Sequence, residues 1–168
     1  LGSSLMASKG YASEEVGEAY KHAFELSKSM VGSPEVLPAI SGLWNYYSVL
    51  ADFDAALSLG NRLLEAADNT KPAVAYVAAH RALGTIYHRI GQPQVALKHF
   101  EAGTTFYNRQ EHAELAATFG TDLLANTLFN LSWCLWEIGK PDLAVSRMED
   151  AQSHVSEIQH PFTTTWFY

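Results

Sequence analysis

Seven histidines, one cysteine and several adjacent carboxylates are the residues of this 168-residue chain that could support metal binding, nucleophilic attack or acid-base chemistry. Their spacing argues against each. His80 and His88 would share related faces of one helix, yet a rise of about 1.5 Å per residue sets them about 12 Å apart, too far to share a metal ion. No histidines recur at i, i+4, no HExxH motif occurs, and Glu111-His112 has no second ligand at helical spacing. Cys134 stands between Trp133 and Leu135 in an apolar run, with no histidine in helical reach, so it reads as a buried inert thiol. As the single cysteine it forms no disulfide within the chain. Ser132 sits in the same apolar run, where a hydroxyl bonds the preceding turn. Glu14-Glu15 and Glu149-Asp150 read as solvated helix faces. The chain has no GxxxxGK[ST] phosphate loop and no aspartate set for two metal ions. The expectation is no catalytic centre, no metal and no cofactor.

Charge and hydropathy narrow the partners. Eleven Lys plus Arg against eighteen Asp plus Glu give a net charge of -7, which offers no electrostatic footprint for a nucleic acid. No run approaches the eighteen apolar residues of a membrane span, and the opening LGSSLMASKGY lacks a basic region followed by an apolar one. A cytoplasmic location is expected, with neither nucleic acid nor membrane as a partner.

The elements that must position any site are helices. Apolar residues recur at helical spacing along almost the whole chain, and no segment sustains a period-two alternation. Breaks at Gly32-Ser33-Pro34, Ala51-Asp52-Phe53, Asn69-Thr70-Lys71-Pro72, Gly91-Gln92-Pro93, Gly139-Lys140-Pro141 and His160-Pro161 combine stop and start signals. In Gly91-Gln92-Pro93 the glycine suits a left-handed helix end and the proline the first turn of the next helix. Helices of about 14 to 20 residues joined by such turns form antiparallel hairpins.

The hairpins repeat. In LGTIYHRIGQPQVALKHF, residues Leu83-Gly84, Tyr87, Gly91, Ala96 and Phe100 reproduce the tetratricopeptide pattern, leaving His88 and His99 on helix surfaces between packing positions. The pattern returns upstream as Leu43, Tyr47, Ala51, Phe53, Ala56 and Gly60, and downstream as Leu131, Leu135, Gly139, Pro141, Ala144 and Met148. The fold expectation is therefore all-α: a right-handed α-solenoid of antiparallel helix hairpins. One domain spans 1–168, with a partial repeat over 1–31, repeats at about 34–68, 71–108 and 111–158, and the start of another at 160–168. The downstream interval holds extra residues, EHAELAATFGTDLL over 111–124, where Gly120 predicts a stop and Thr121 or Asp122 the next cap. The closing HPFTTTWFY carries Phe162, Trp166, Phe167 and Tyr168 without a polar cap, and the opening is uncapped near Leu1 and Leu5. Both ends read as cuts through a longer array, which predicts self-association through them.

The pieces "KGY", "GLW", "AHRALG" and "LSWCLWEIGKPDLA", in that order and followed by HPF, resemble the tetratricopeptide region of large bacterial signalling ATPases. Many members of that family carry a class III adenylate or guanylate cyclase domain, then a nucleotide-binding ATPase module, then this helical region. The resemblance covers essentially the whole chain. It implies a noncatalytic scaffold for protein-protein interaction and regulation, with cyclase and ATPase activities belonging to upstream domains.

The concave groove of such a solenoid is the candidate site. The register places Ser41, Asn45 and Ser48 there from one repeat, Arg81, Thr85, His88 and Arg89 from the next, and Asn126, Phe129, Trp133 and Trp136 from the last. This surface suits a peptide with an acidic group and an apolar anchor, because arginine pairs carboxylates and tryptophan supplies contact area. A small molecule is the alternative ligand. In the competing reading, Trp133 and Trp136 pack against 111–124 and Arg81 pairs with a carboxylate. Chaperone-tail binding is disfavoured: of the Lys and Asn positions it needs, only Asn45 matches, and Ser41, Ala82, Asn126 and Asn130 stand at the others.

Overall fold

The computed structural model describes residues 8–10, 12–27, 36–70, 73–112 and 115–168, and among these it contains helices and no strand. We number the helices α1 (Glu14–Ser27), α2 (Val36–Val49), α3 (Phe53–Thr70), α4 (Ala73–Arg89), α5 (Pro93–Phe106), α6 (Arg109–His112), α7 (Ala116–Phe119), α8 (Leu123–Glu137), α9 (Pro141–Ile158) and α10 (Pro161–Phe167). None of them is long and apolar enough to cross a membrane. The breaks expected at Gly32-Ser33-Pro34 and at Lys71-Pro72, and the opening near Leu1 and Leu5, lie outside the described residues.

Three turns share one hydrogen-bond pattern, and this is the physical content of the repeat. Asp52 N–H donates to Tyr47 O at 3.0 Å, Gln92 N–H to Tyr87 O at 2.8 Å, and Lys140 N–H to Leu135 O at 2.9 Å. Each bond satisfies a carbonyl that the end of a helix leaves open. The next helix then starts with Ala56, Ala96 or Ala144 donating back across the cap, and all three alanines are buried. Gln92 and Lys140 adopt the same dihedrals, φ -114 and ψ 61. Gly91 and Gly139 take the left-handed position of their turns at φ 76 and φ 77, whereas Ala51 holds it at φ 59.

Side chains fix the direction of the hairpins. Tyr76 stacks on Phe106 and His80 meets His99, while Gly84 lies against Phe100 near the turn, so α4 and α5 run antiparallel. A methyl group on Gly84 would come within 2.7 Å of the fully buried Phe100 ring, which is why a residue without a side chain stands there. Consecutive helices pack in order, and α4 also contacts both α2 and α8. The first helices of successive hairpins therefore lie side by side. One core cluster joins α1 to α4 with Phe119 and Leu123; a second joins α5, α8 and α9 around Phe100, Leu128, Leu131 and Cys134.

Residues 107–122 leave the repeat pattern. Gly120 ends α7 in the left-handed region at φ 80, and Asp122 caps α8 by accepting from Ala125 N–H at 2.8 Å. The same carboxylate accepts from Tyr107 Oη at 2.7 Å and lies 2.9 Å from His154 Nε2. Asp122 N–H donates to Thr163 Oγ1 at 3.0 Å, and Thr163 in turn bonds His160 Nδ1. Asp122 and His154 are each no more than 1 % exposed. Burial alone would raise the Asp122 carboxyl; the bonds from His154, the Ala125 amide and Tyr107 outweigh it and hold the group below its ordinary value. Burial and the neighbouring carboxylate push the Tyr107 hydroxyl up, so it stays a donor. This junction ties the end of α5, the start of α8, α9 and α10 together. At the chain's end, α10 packs Trp166 and Phe167 onto Phe129, while Tyr168 is 72 % exposed.

Two variants test these devices. Ala51→Gly relieves a left-handed alanine that costs about 1–2 kcal/mol, less the entropy of a freer unfolded chain, for a net gain of about 1 kcal/mol. A urea midpoint that falls instead would show that Ala51 is held by contacts. Asp122→Asn should lose about 1.5–3 kcal/mol near neutral pH by weakening bonds to a charged acceptor. Because the native carboxyl titrates below its unfolded value of about 3.9, its contribution is present above that pH and is lost as pH falls through the native value. Wild type and variant should thus converge in acid melts, and a constant gap would contradict the assignment.

Candidate functional site

Helices α2, α4, α8 and α10 surround a cavity of about 370 Å³ on the side where the first helices meet. Helix α2 supplies Trp44, Asn45, Ser48 and Val49; α4 supplies Arg81, Thr85 and Arg89; α8 supplies Asn126, Phe129 and Asn130. Thr121 from the extra segment and Phe162 and Trp166 from α10 complete the wall.

Charge is concentrated here. Arg81 is 3 % exposed, with its guanidinium 4.6 Å from the Trp44 ring centre. Arg89 is exposed at the rim and donates through Nη1 to Ser48 O and Ser48 Oγ at 2.6 and 2.7 Å, covering a carbonyl near the end of α2. No Asp or Glu occurs among the described residues that line the cavity. Trp44 Nε1 and Thr121 Oγ1 are buried in its wall without a hydrogen-bond partner. Opposite the arginines, Phe129 meets Trp166 edge to face at 5.0 Å.

Seven of the eleven groove residues read from the sequence meet at this cavity: Asn45, Ser48, Arg81, Thr85, Arg89, Asn126 and Phe129. Ser41, also placed in the groove, is buried beside them in α2. The other three lie elsewhere. His88 turns to Glu137, with Nε2 and Oε2 3.0 Å apart, and links α4 to the end of α8. Trp133 and Trp136 are 50 % and 61 % exposed and face α9, where they line a shallow apolar cleft with Ala144, Val145 and Met148. The cavity crosses the helices obliquely, meeting α8 about one turn before the register set by Leu43, Leu83 and Leu131. Trp133 and Trp136 therefore fall beyond its end.

Trp44, Thr121, Phe162 and Trp166 are not marked by the groove register. The signals that could have found Thr121, Phe162 and Trp166 are the extra segment before Asp122 and the aromatic cluster after His160, both places where a regular repeat is interrupted.

The nucleophile candidates are withdrawn from chemistry. Burial, with Glu137 nearby, pushes the Cys134 thiol up to about 12, and Ser132 Oγ donates to Phe129 O at 2.8 Å. No group of three or more metal-ligating side chains occurs among the described residues. His99, expected on a helix surface, is instead half-buried, its Nδ1 3.1 Å from His80 Nδ1 and its ring stacked on Tyr87. The pairing crosses the α4–α5 hairpin, beyond what spacing along one helix can reveal. No family model, curated protein or solved structure matches the chain.

The histidine pair gives a pH prediction. Burial lowers His80 against the opposing pull of Asp68, and burial together with His80 lowers His99. Both imidazoles are thus neutral in the fold over a range where the unfolded chain binds protons. Stability should fall as pH drops from about 7.5 to about 5.5, across the ordinary imidazole value of about 6.5. His99→Gln should flatten that dependence in urea melts; an undiminished slope would assign it to other groups.

Proposed function

We propose that this chain is a noncatalytic helical-repeat module of the tetratricopeptide kind that binds an acidic protein or peptide partner on its inner face. In this reading it belongs to a cytoplasmic multidomain bacterial signalling protein, and partner binding is relayed to upstream ATPase and cyclase domains. The multidomain context rests on the residue resemblance, and the repeat architecture on the three turns of matching geometry. The observation that carries the binding reading is the placing of Arg81 and Arg89 in one cavity wall of a chain of net charge -7. A protein that repels anions overall and concentrates cations in one recess selects an acidic group that also fits the recess. The sequestered Cys134 and Ser132 support a binding role over a catalytic one.

A second reading is favoured by α10, which lies along the cavity with Phe162 and Trp166 in its wall and turns a groove into a recess of small-molecule size. A metabolite sensor controlling the ATPase would use the same arginines.

The test is an array of acidic and neutral peptides, each with an apolar anchor, probed with wild type and Arg89→Glu. Arg89 is chosen because it is exposed, whereas Arg81→Glu would leave a carboxylate buried beneath Trp44. Acidic peptides should bind wild type and lose about tenfold or more on the variant, about 1.4 kcal/mol, at unchanged helicity. Equal retention of every peptide would remove the arginines from the site.

A further inference from the structure

We infer that the face formed by α8 and α9 is a self-association surface, on which a second copy of this chain docks across a twofold axis through Trp133, Trp136 and Val145. It uses neither arginine of the cavity.

The repeat register says what such a face is for. Counted from Leu43, Leu83 and Leu131, Trp136 stands where α4 has His88 and α2 has Ser48. Ser48 is covered by Arg89 of the next first helix, and His88 by Glu137 of the one after. Likewise Val145 on α9 stands where α5 has Leu97 and α3 has Leu57, and both leucines pack against the cores. Through these positions each hairpin receives its neighbour. On the α8–α9 hairpin they are open: Trp133 is 50 % exposed, Trp136 61 % and Val145 53 %. With Met148 and the buried Ala144 they line a cleft of about 290 Å³.

Composition separates this face from an ordinary stacking position. The equivalents of the two tryptophans are Thr85 and His88 on α4, and Asn45 and Ser48 on α2, all polar. Tryptophan is enriched at protein interfaces because one side chain supplies a large, stiff contact. Trp133 also meets Phe129, and Phe129 meets Trp166, so the exposed rings form one continuous apolar ridge.

A second copy in isologous contact is the occupant that the rest of the molecule favours. At the other end of the array α1 exposes Glu14, Glu15, Glu18 and Glu25, and Leu26 is the one large apolar side chain exposed on it among the described residues. That surface offers no apolar mate for head-to-tail stacking, whereas a twofold axis sets the ridge against its own equivalent. The exposed parts of Trp133, Trp136, Val145 and Trp166 amount to roughly 400–500 Å² per copy. A standard interface takes about 800 Å² from each partner, so this contact suits a reversible dimer. A net charge of -7 on each copy opposes the pairing and makes it sensitive to salt.

Sedimentation of the full chain between about 5 and about 500 µM should show monomer and dimer with a Kd of about 10–100 µM. The dimer should tighten about threefold or more between about 50 and about 500 mM NaCl, as repulsion between copies is screened. Trp133→Ser combined with Trp136→Ser should weaken it about tenfold or more at unchanged helicity, both side chains being exposed in the monomer. Val145→Glu on α9 sets a carboxylate from each copy into the contact and should do the same, whereas Leu26→Ser on α1 should change nothing. Acrylamide should quench wild-type tryptophan emission less as the dimer forms. A monomer at every concentration would overturn the inference and leave the face to a helix of another protein. Association undiminished in both the tryptophan and the Val145 variants, or lost in Leu26→Ser, would place the contact elsewhere and overturn it. Growth beyond the dimer would overturn it as well, because it requires a head-to-tail contact.

Discussion

A single buried carboxylate carries the second half of this molecule. Asp122 is 1 % exposed, and its polar atoms are engaged: one carboxylate oxygen with the Ala125 amide and His154, the other with Tyr107, the backbone N–H with Thr163 and the carbonyl with the Asn126 amide. Burying a charge is costly unless its hydrogen bonds are satisfied, and three segments converge to satisfy this one, while α10 takes the backbone N–H through Thr163. The geometry is correspondingly demanding. Tyr107 must leave α5, α8 must begin at Leu123, His154 must face inward from α9, and Thr163 must sit in the first turn of α10. Once those conditions hold, Phe162 and Trp166 are delivered to the cavity.

The repeat and its interruption have separate roles. Matching turns after α2, α4 and α8 set a regular array in which buried alanines let each helix pair approach closely. That regularity alone yields an open face along α2, α4 and α8. Enclosure comes from the irregular parts: Phe119 joins the first core, Thr121 enters the wall, and α10 lies along the far side. Two of the chain's eleven Lys and Arg stand in the wall, Arg81 buried and Arg89 exposed at the rim.

Much of the fold was legible because it is written in short-range signals. Gly91 before Pro93, Gly139 before Pro141, and Gly120 before Asp122 each specify a stop and a start within three residues. The inner positions Asn45, Arg81, Thr85 and Phe129 were legible for a related reason, since a helical register fixes which face a residue occupies. What the register does not fix is the stagger between successive hairpins. That stagger carries Trp133 and Trp136 past the cavity to the α9 side and swings His88 to Glu137. The His80–His99 and Asp122–His154 contacts join residues 19 and 32 apart in the chain, and spacing along one helix says nothing about either. The role of α10 was hidden because its aromatics read as an uncovered end; Trp166 and Phe167 pack on Phe129, yet Trp166 stays 40 % exposed and Tyr168 72 %.

The account depends on the Asp122 junction holding α10 against the cavity, and amide exchange in Asp122→Ala measures that directly. Removing the carboxylate should release Tyr107, His154 and the α8 cap together. The backbone of Pro161–Phe167 should then exchange as a frayed segment, while the buried amides of α4 and α5 keep their wild-type protection. Protection of α10 that is unchanged in this variant would contradict the account, because the helix would then be seated without the carboxylate, by Phe129 packing and by the backbone bond to Thr163 that alanine keeps.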